Sequence, residues 1–132
     1  MNASILSVAL SLSVLVAAAL PAPADAAASL RVRCETRASP ARSKISVDAS
    51  NVLPDAMYSA RVISGNSTKT SAPRTATGVE VEFDFDSNPA DIRKGATAIP
   101  ATYIKGNTVR ALLLNASGQV VAGPTSVSCK AG

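Results

Sequence analysis

Apolar and polar residues alternate with a period of two along most of the chain, which is the pattern of strands with one buried face. Leu30, Val32 and Cys34 alternate with Arg31, Arg33 and Glu35, and Ile45, Val47 and Ala49 with Lys44, Ser46 and Asp48. Tyr58, Ala60 and Val62 alternate with Ser59, Arg61 and Ile63, and Val79, Val81, Phe83 and Phe85 with Glu80, Glu82, Asp84 and Asp86. Residues 109–114 (VRALLL) are more continuously apolar, as in a central strand covered on both faces. Val120–Ala122 and Thr125–Cys129 complete the set.

Turn residues separate these runs. Ser50-Asn51, Pro54-Asp55 and Gly65-Asn66 fall between them, and residues 115–118 (NASG) predict a hairpin with Gly118 at a positive φ. Gly123-Pro124 predicts a break in the last strand, and Ser67–Gly78 fits an irregular edge strand as well as a loop. One helical turn is predicted over 89–94, with Asn88 or Ser87 as N-cap, Pro89 first, Asp91 in the first turn and Gly95 as terminator. The whole predicts an all-β fold, an antiparallel β-sandwich of about seven strands. In architecture it resembles the broad immunoglobulin-like class. It lacks that class's antibody-type Cys…Trp…Cys spacing, having no Trp and a terminal Cys pair.

The first segment has another character. Ile5–Leu20 is an uncharged run of sixteen residues, shorter than the roughly 20 a membrane-spanning helix needs. Small residues at alternate positions follow it, so residues 1–26 read as a signal peptide cut after Ala26, with Ala24 and Ala28 also meeting the cleavage pattern. Met1–Ser4 carries no Lys or Arg, a departure from the usual leader. An uncleaved anchor is the competing reading. Residues 27–132 then form a single secreted or periplasmic domain with no stable membrane span. Thirteen Lys+Arg against eight remaining acids give that domain a net charge of +5. Its Ala-rich, aromatic-poor composition reads as bacterial, and Asn66 and Asn115, in Asn-x-Ser/Thr patterns, read as turn residues rather than glycan acceptors.

Export makes a disulfide expected, and two cysteines allow one intramolecular pairing, Cys34–Cys129, from the first strand to the last. The 95 residues between them are the wrong spacing for a CxxC redox pair. Zero His removes the Ser-His-Asp and Cys-His systems and His-based metal sites, and no phosphate-binding Gly loop is present.

The strongest local signal is the acidic strand 79–86, VEVEFDFD, and three readings compete for it. In the first, Arg31, Arg33 and Lys44 share its sheet face and pair with Glu80, Glu82 and Asp84. In the second, Asp84, Asp86, Asn88 and Asp91 ligate calcium, although Pro89 and Gly95 stand where an EF-hand needs Gly and Glu. In the third, the acids form a docking face for a basic partner.

A carboxylate-based hydrolase is a further alternative, but only four aromatics are available to make a sugar platform. The basic residues Arg31, Arg33, Arg37, Arg42 and Lys44 form a candidate anion-binding patch. No recognition helix or stacking set accompanies them, so nucleic acid is not expected. The expected function is therefore a non-enzymatic binding or structural module with no cofactor, or with calcium in the second reading. Its partner would be an extracytoplasmic protein or an anionic surface polymer.

Overall fold

β1 (Ser29–Ala38) and β2 (Ala41–Ser50) pair antiparallel over their full length, from Ser29 opposite Ser50 to Ala38 opposite Ala41, in a computed structural model that describes residues 28–132. The leader expected at 1–26 lies outside the described residues. β6 (Glu80–Asp86) continues the sheet on the far side of β2, placing Val81, Phe83 and Phe85 beside Ala49, Val47 and Ile45. Two-residue strands close its edges. β7 (Thr97–Ala98) lies parallel to β6, and β10 (Lys130–Ala131) lies parallel to β1.

The second sheet is built on β3 (Met57–Ser64) and β8 (Thr108–Asn115), with β9 (Val120–Ser128) beyond β8. β4 (Ser67–Thr70) and β5 (Arg74–Thr75) both pair with β3. The protein is an all-β sandwich with one short helix, α1 (Pro89–Arg93). The period-two pattern decides which side chains meet between the sheets. Ile45, Val47, Phe83 and Phe85 from one sheet face Ala60, Val62, Val109, Ala111 and Leu113 from the other, all fully buried. Both Phe residues belong to this core, as their strand positions predict.

Cys34 and Cys129 are bonded, with Cα atoms 4.7 Å apart. The bridge joins β1 of the first sheet to the residue that follows β9 of the second. It therefore clamps the sheets along one side, and both cysteines pack in the core. Constraining a loop of 95 residues is worth about 4–5 kcal/mol in the chain-entropy picture. Buried serines hold the connections. Ser64 Oγ accepts from the Lys105 N–H at 2.7 Å and donates to the Thr108 carbonyl at 2.8 Å, while Ser43 Oγ donates to the Ala101 carbonyl at 2.7 Å.

Three local expectations change. Ser67–Gly78 contains two short edge strands. Gly123-Pro124 does not end the last strand, since β9 runs through both. Pro124 sits on an edge strand, where a missing N–H is tolerated. Gly123 has φ +91°, and a Cβ there would lie 2.5 Å from the Ala111 carbonyl oxygen, so only glycine lets β9 approach the bulged part of β8 this closely. Finally, β8 is central but not covered on both faces, because Arg110 is exposed.

The two ends of the sandwich differ. The start of β1, the β2–β3 connection, the start of β6 and the β8–β9 hairpin share one end. All four exposed large apolar residues gather there: Leu53 (50% exposed), Met57 (45%), Val79 (51%) and Val120 (53%). The Val52 N–H donates to the Val79 carbonyl at 3.1 Å, and the Leu53 N–H donates to the Tyr58 hydroxyl at 3.0 Å, which fixes this end. α1 lies at the opposite end, beside the turn between β1 and β2.

Candidate functional site

The predicted helical turn forms over Pro89–Arg93 because each residue suits its place. Asn88 caps it by accepting the Ala90 N–H at 2.8 Å, Pro89 brings no N–H that needs an acceptor, and Gly95 leaves it at φ +114°. What ties this turn to the sheet is Arg42 on the outer face of β2. Its Nε donates to Asp86 Oδ1 at 3.0 Å, and its Nη2 donates to Asp86 Oδ2 at 2.7 Å and to Asp91 Oδ2 at 2.8 Å. Asp86 is only 1% exposed and also accepts the Asn88 N–H at 2.9 Å.

Burial alone would push the Asp86 carboxyl up. The Arg42 hydrogen bonds, the Asn88 N–H and the Arg42 and Lys44 charges outweigh it, so Asp86 titrates below the ordinary aspartate value. The same hydrogen bonds to Asp86 hold the Arg42 guanidinium above its ordinary value, against the effect of its burial.

This geometry shows where each candidate calcium ligand goes. Asp86 and Asp91 converge on a guanidinium, which supplies the positive charge that the two carboxylates require. Asp84 accepts the Ser46 hydroxyl at 3.1 Å, and Asn88 spends its side-chain oxygen on the cap. Among the described residues, no group of three or more His, Cys, Asp or Glu side chains is placed to hold a metal ion.

The expected pairing of Arg31, Arg33 and Lys44 with Glu80, Glu82 and Asp84 does not form, although all six side chains lie on the same sheet face. β2 runs between β1 and β6, so the cations of β1 stand two strand spacings, roughly 9.5 Å, from the acids of β6. β2 opposes those acids with Ser50, Asp48 and Ser46. Arg33 pairs instead with Asp48 at 2.9 Å.

Four of the five basic residues read as an anion-binding patch stand beside acids, Arg33 through its pair with Asp48. Arg31 faces Asp48, Lys44 lies between Glu35 and Asp86, and Arg42 is held by its two aspartates. Arg37 faces Arg42 across the strands.

The face of the molecule that is free of acids is the outer face of the second sheet. All eight acids of the described residues lie on β1, β2, β6 or α1, or, for Asp55, in the β2–β3 connection. Between Met57 and Val79, and from Ile92 onward, there is no Asp or Glu. Register places this face in rows. Ser59, Leu114 and Val120 cross β3, β8 and β9, Arg61 lies beside Leu112, and Ile63 and Arg110 lie beside Ser126. Arg61 Nε donates to Thr70 Oγ1 at 3.1 Å, and neither Arg61 nor Arg110 has an acid partner among the described residues.

A recess of about 390 Å³ opens on this face between Met57, Ser59, Arg61, Pro73 and Leu114. Sequence reasoning passed over this surface because it followed the positive clusters. The available signal was the two long stretches without an acid.

The carboxylates do not share a cleft with Tyr103. That ring is buried, and its hydroxyl donates to the Val62 carbonyl at 2.6 Å. Burial raises the Tyr103 pKa above its ordinary value, against the smaller lowering effect of a hydrogen bond from the Lys69 backbone. Glu80 and Glu82 border a shallow groove with Arg74 and Thr77. Asp84, Asp86 and Asp91 border another of about 250 Å³ with Lys44, Arg74 and Lys94. No helix among the described residues is long and apolar enough to cross a membrane. No protein-family model matches the chain, and no curated protein matches its sequence.

Proposed function

We propose that the protein is an exported, non-enzymatic binding module that engages an anionic partner through the outer face of its second sheet. The observation that carries this reading is the separation of charge. Among the described residues, Arg61 and Arg110 stand on a face without an acidic side chain, whereas Arg31, Arg33, Arg42 and Lys44 of the first sheet stand beside acids. Unpaired cations on a low-dielectric apolar surface attract anions over a distance set by salt. The disulfide and the lack of a membrane-crossing helix among the described residues are compatible with a secreted or periplasmic home. The strand order, with β1, β2 and β6 in one sheet and β3, β8 and β9 in the other, supports an immunoglobulin-like assignment of the sandwich.

Retention of the exported protein on a polyanion matrix such as heparin tests the reading. Arg61→Gln with Arg110→Gln should shift elution to lower salt, whereas the charge-matched Arg31→Gln with Arg33→Gln should elute close to the parent. Equal shifts for both variants would reduce the interaction to net charge and remove the face from the account.

A further inference from the structure

We infer that the anionic partner is a lipid bilayer bearing anionic headgroups, and that the second sheet lies against it with its Met57–Val120 end inserted most deeply. This rests on the reading above and narrows it. A soluble polyanion needs only the cations. This face also presents apolar side chains that a polyanion would leave in water. Met57 and Val120 are each about half exposed and stand on the same side as Arg61 and Arg110, with Leu112 beside Arg61 and Ile63 beside Arg110. Leu53 and Val121 border a recess with Met57 at this end, and the exposed Asp55 of the same connection is the one acid between Leu53 and Met57.

Surfaces that lie in a bilayer interface combine these two components, apolar area that enters the acyl boundary and cations that meet the headgroups. The long aliphatic stems of Arg61 and Arg110 can lie along Leu112 and Ile63 while their guanidinium groups reach the phosphates. A two-fold contact would set this face against itself, bringing Arg61 and Arg110 of each copy together with no acid on the face to pair them, so a second copy of the chain is the poorer fit. The first sheet, carrying Glu80, Glu82 and Asp84 on its outer face, would face away from the membrane.

The experiment is co-sedimentation of the exported protein with vesicles of phosphatidylcholine alone and of phosphatidylcholine and phosphatidylglycerol in equal parts. Binding is expected only to the anionic vesicles and is expected to weaken with salt. Arg61→Gln with Arg110→Gln should lower affinity by about 25-fold, roughly fivefold per charge. Met57→Ser with Val120→Ser should lower it by about tenfold without changing retention on heparin. Both pairs lie on the surface, and melting curves check that each variant is folded.

Absence of binding to anionic vesicles, while heparin retention still depends on Arg61 and Arg110, overturns the lipid inference and leaves the anion-binding face standing. Loss of both interactions overturns both. Vesicle binding that is indifferent to Met57 and Val120 overturns the inserted end and the lipid inference with it.

Discussion

Replacing Arg42 with Met removes the guanidinium that holds Asp86 and Asp91 while keeping a long apolar stem on β2. Asp86 then remains almost fully buried, with the Asn88 N–H as its only side-chain partner among the described contacts. Breaking a buried ion pair from one side costs about 3–5 kcal/mol. Arg42 is partly exposed and one donor survives, which argues for the lower end, near 3 kcal/mol. For a domain of this size that is a fall in melting temperature of roughly 12–24 °C.

Urea and thermal unfolding of the oxidised protein measure it, and the double variant Arg42→Met, Asp86→Asn provides the control. An amide buries without a charge, so the second change should recover a substantial part of the loss.

The pH dependence has a definite sign. The folded Asp86 titrates below its unfolded value, so its contribution is full above about pH 4 and is lost as pH falls through the folded value. In the Met variant burial is left to dominate, so the carboxyl takes up its proton at higher pH than in the parent and protonation relieves the stranded charge. The gap between parent and variant should therefore narrow on acidification. A loss below about 1 kcal/mol, or a gap that stays constant from pH 7 to about pH 3, would refute the anchor.

Three other outcomes follow from the same geometry. Replacing Cys34 and Cys129 with Ser should cost up to about 4–5 kcal/mol, read by urea unfolding, and an effect under 1 kcal/mol would mean that the bridge constrains little in the unfolded chain. Tyr103 should ionise above the ordinary tyrosine value in the folded protein, read from tyrosinate absorbance. Its stabilising contribution is full below the unfolded value near 10 and is lost as pH rises through the folded one, so normal titration of both tyrosines would contradict its burial. Millimolar calcium should leave the melting temperature unchanged because Arg42 already occupies both oxygens of Asp86 and one of Asp91, and a rise abolished by Asp84→Asn with Asp86→Asn would place a cation there instead.

The parts of this molecule that were legible in its sequence are those governed by local chemistry. The alternation of Val81, Phe83 and Phe85 with acids settled which side of β6 is buried, because slipping one residue would put four carboxylates into the core. The α1 turn was equally explicit, since Asn88, Pro89, Asp91 and Gly95 each suit one helix position. The only pairing open to two cysteines is the one that forms. What stayed hidden depends on which strands become neighbours. Arg42 and Asp86 are far apart in the chain, and no local pattern says that one guanidinium will sit between Asp86 and Asp91. For the same reason the acidic stretch looked like a cation loop or a paired ladder until β2 was known to run between β1 and β6.

The acid-free face shows the same dependence on topology. A stretch without Asp or Glu becomes a surface only when β3, β8 and β9 share a sheet, as they do. Cross-strand register then bears on purpose. If Arg61 and Arg110 served the pairing of their own sheet, acids should stand opposite them, as Asp48 stands opposite Arg31 in the first sheet. Arg61 stands between Leu112 and Thr70, to whose hydroxyl its Nε donates, and Arg110 stands between Ile63 and Ser126. Charges that meet no acid across the strands are free to attract an anion from outside the chain, and their neutralisation should reduce binding while leaving stability within about 0.5 kcal/mol of the parent. A large loss of stability on neutralising them would return these arginines to the fold.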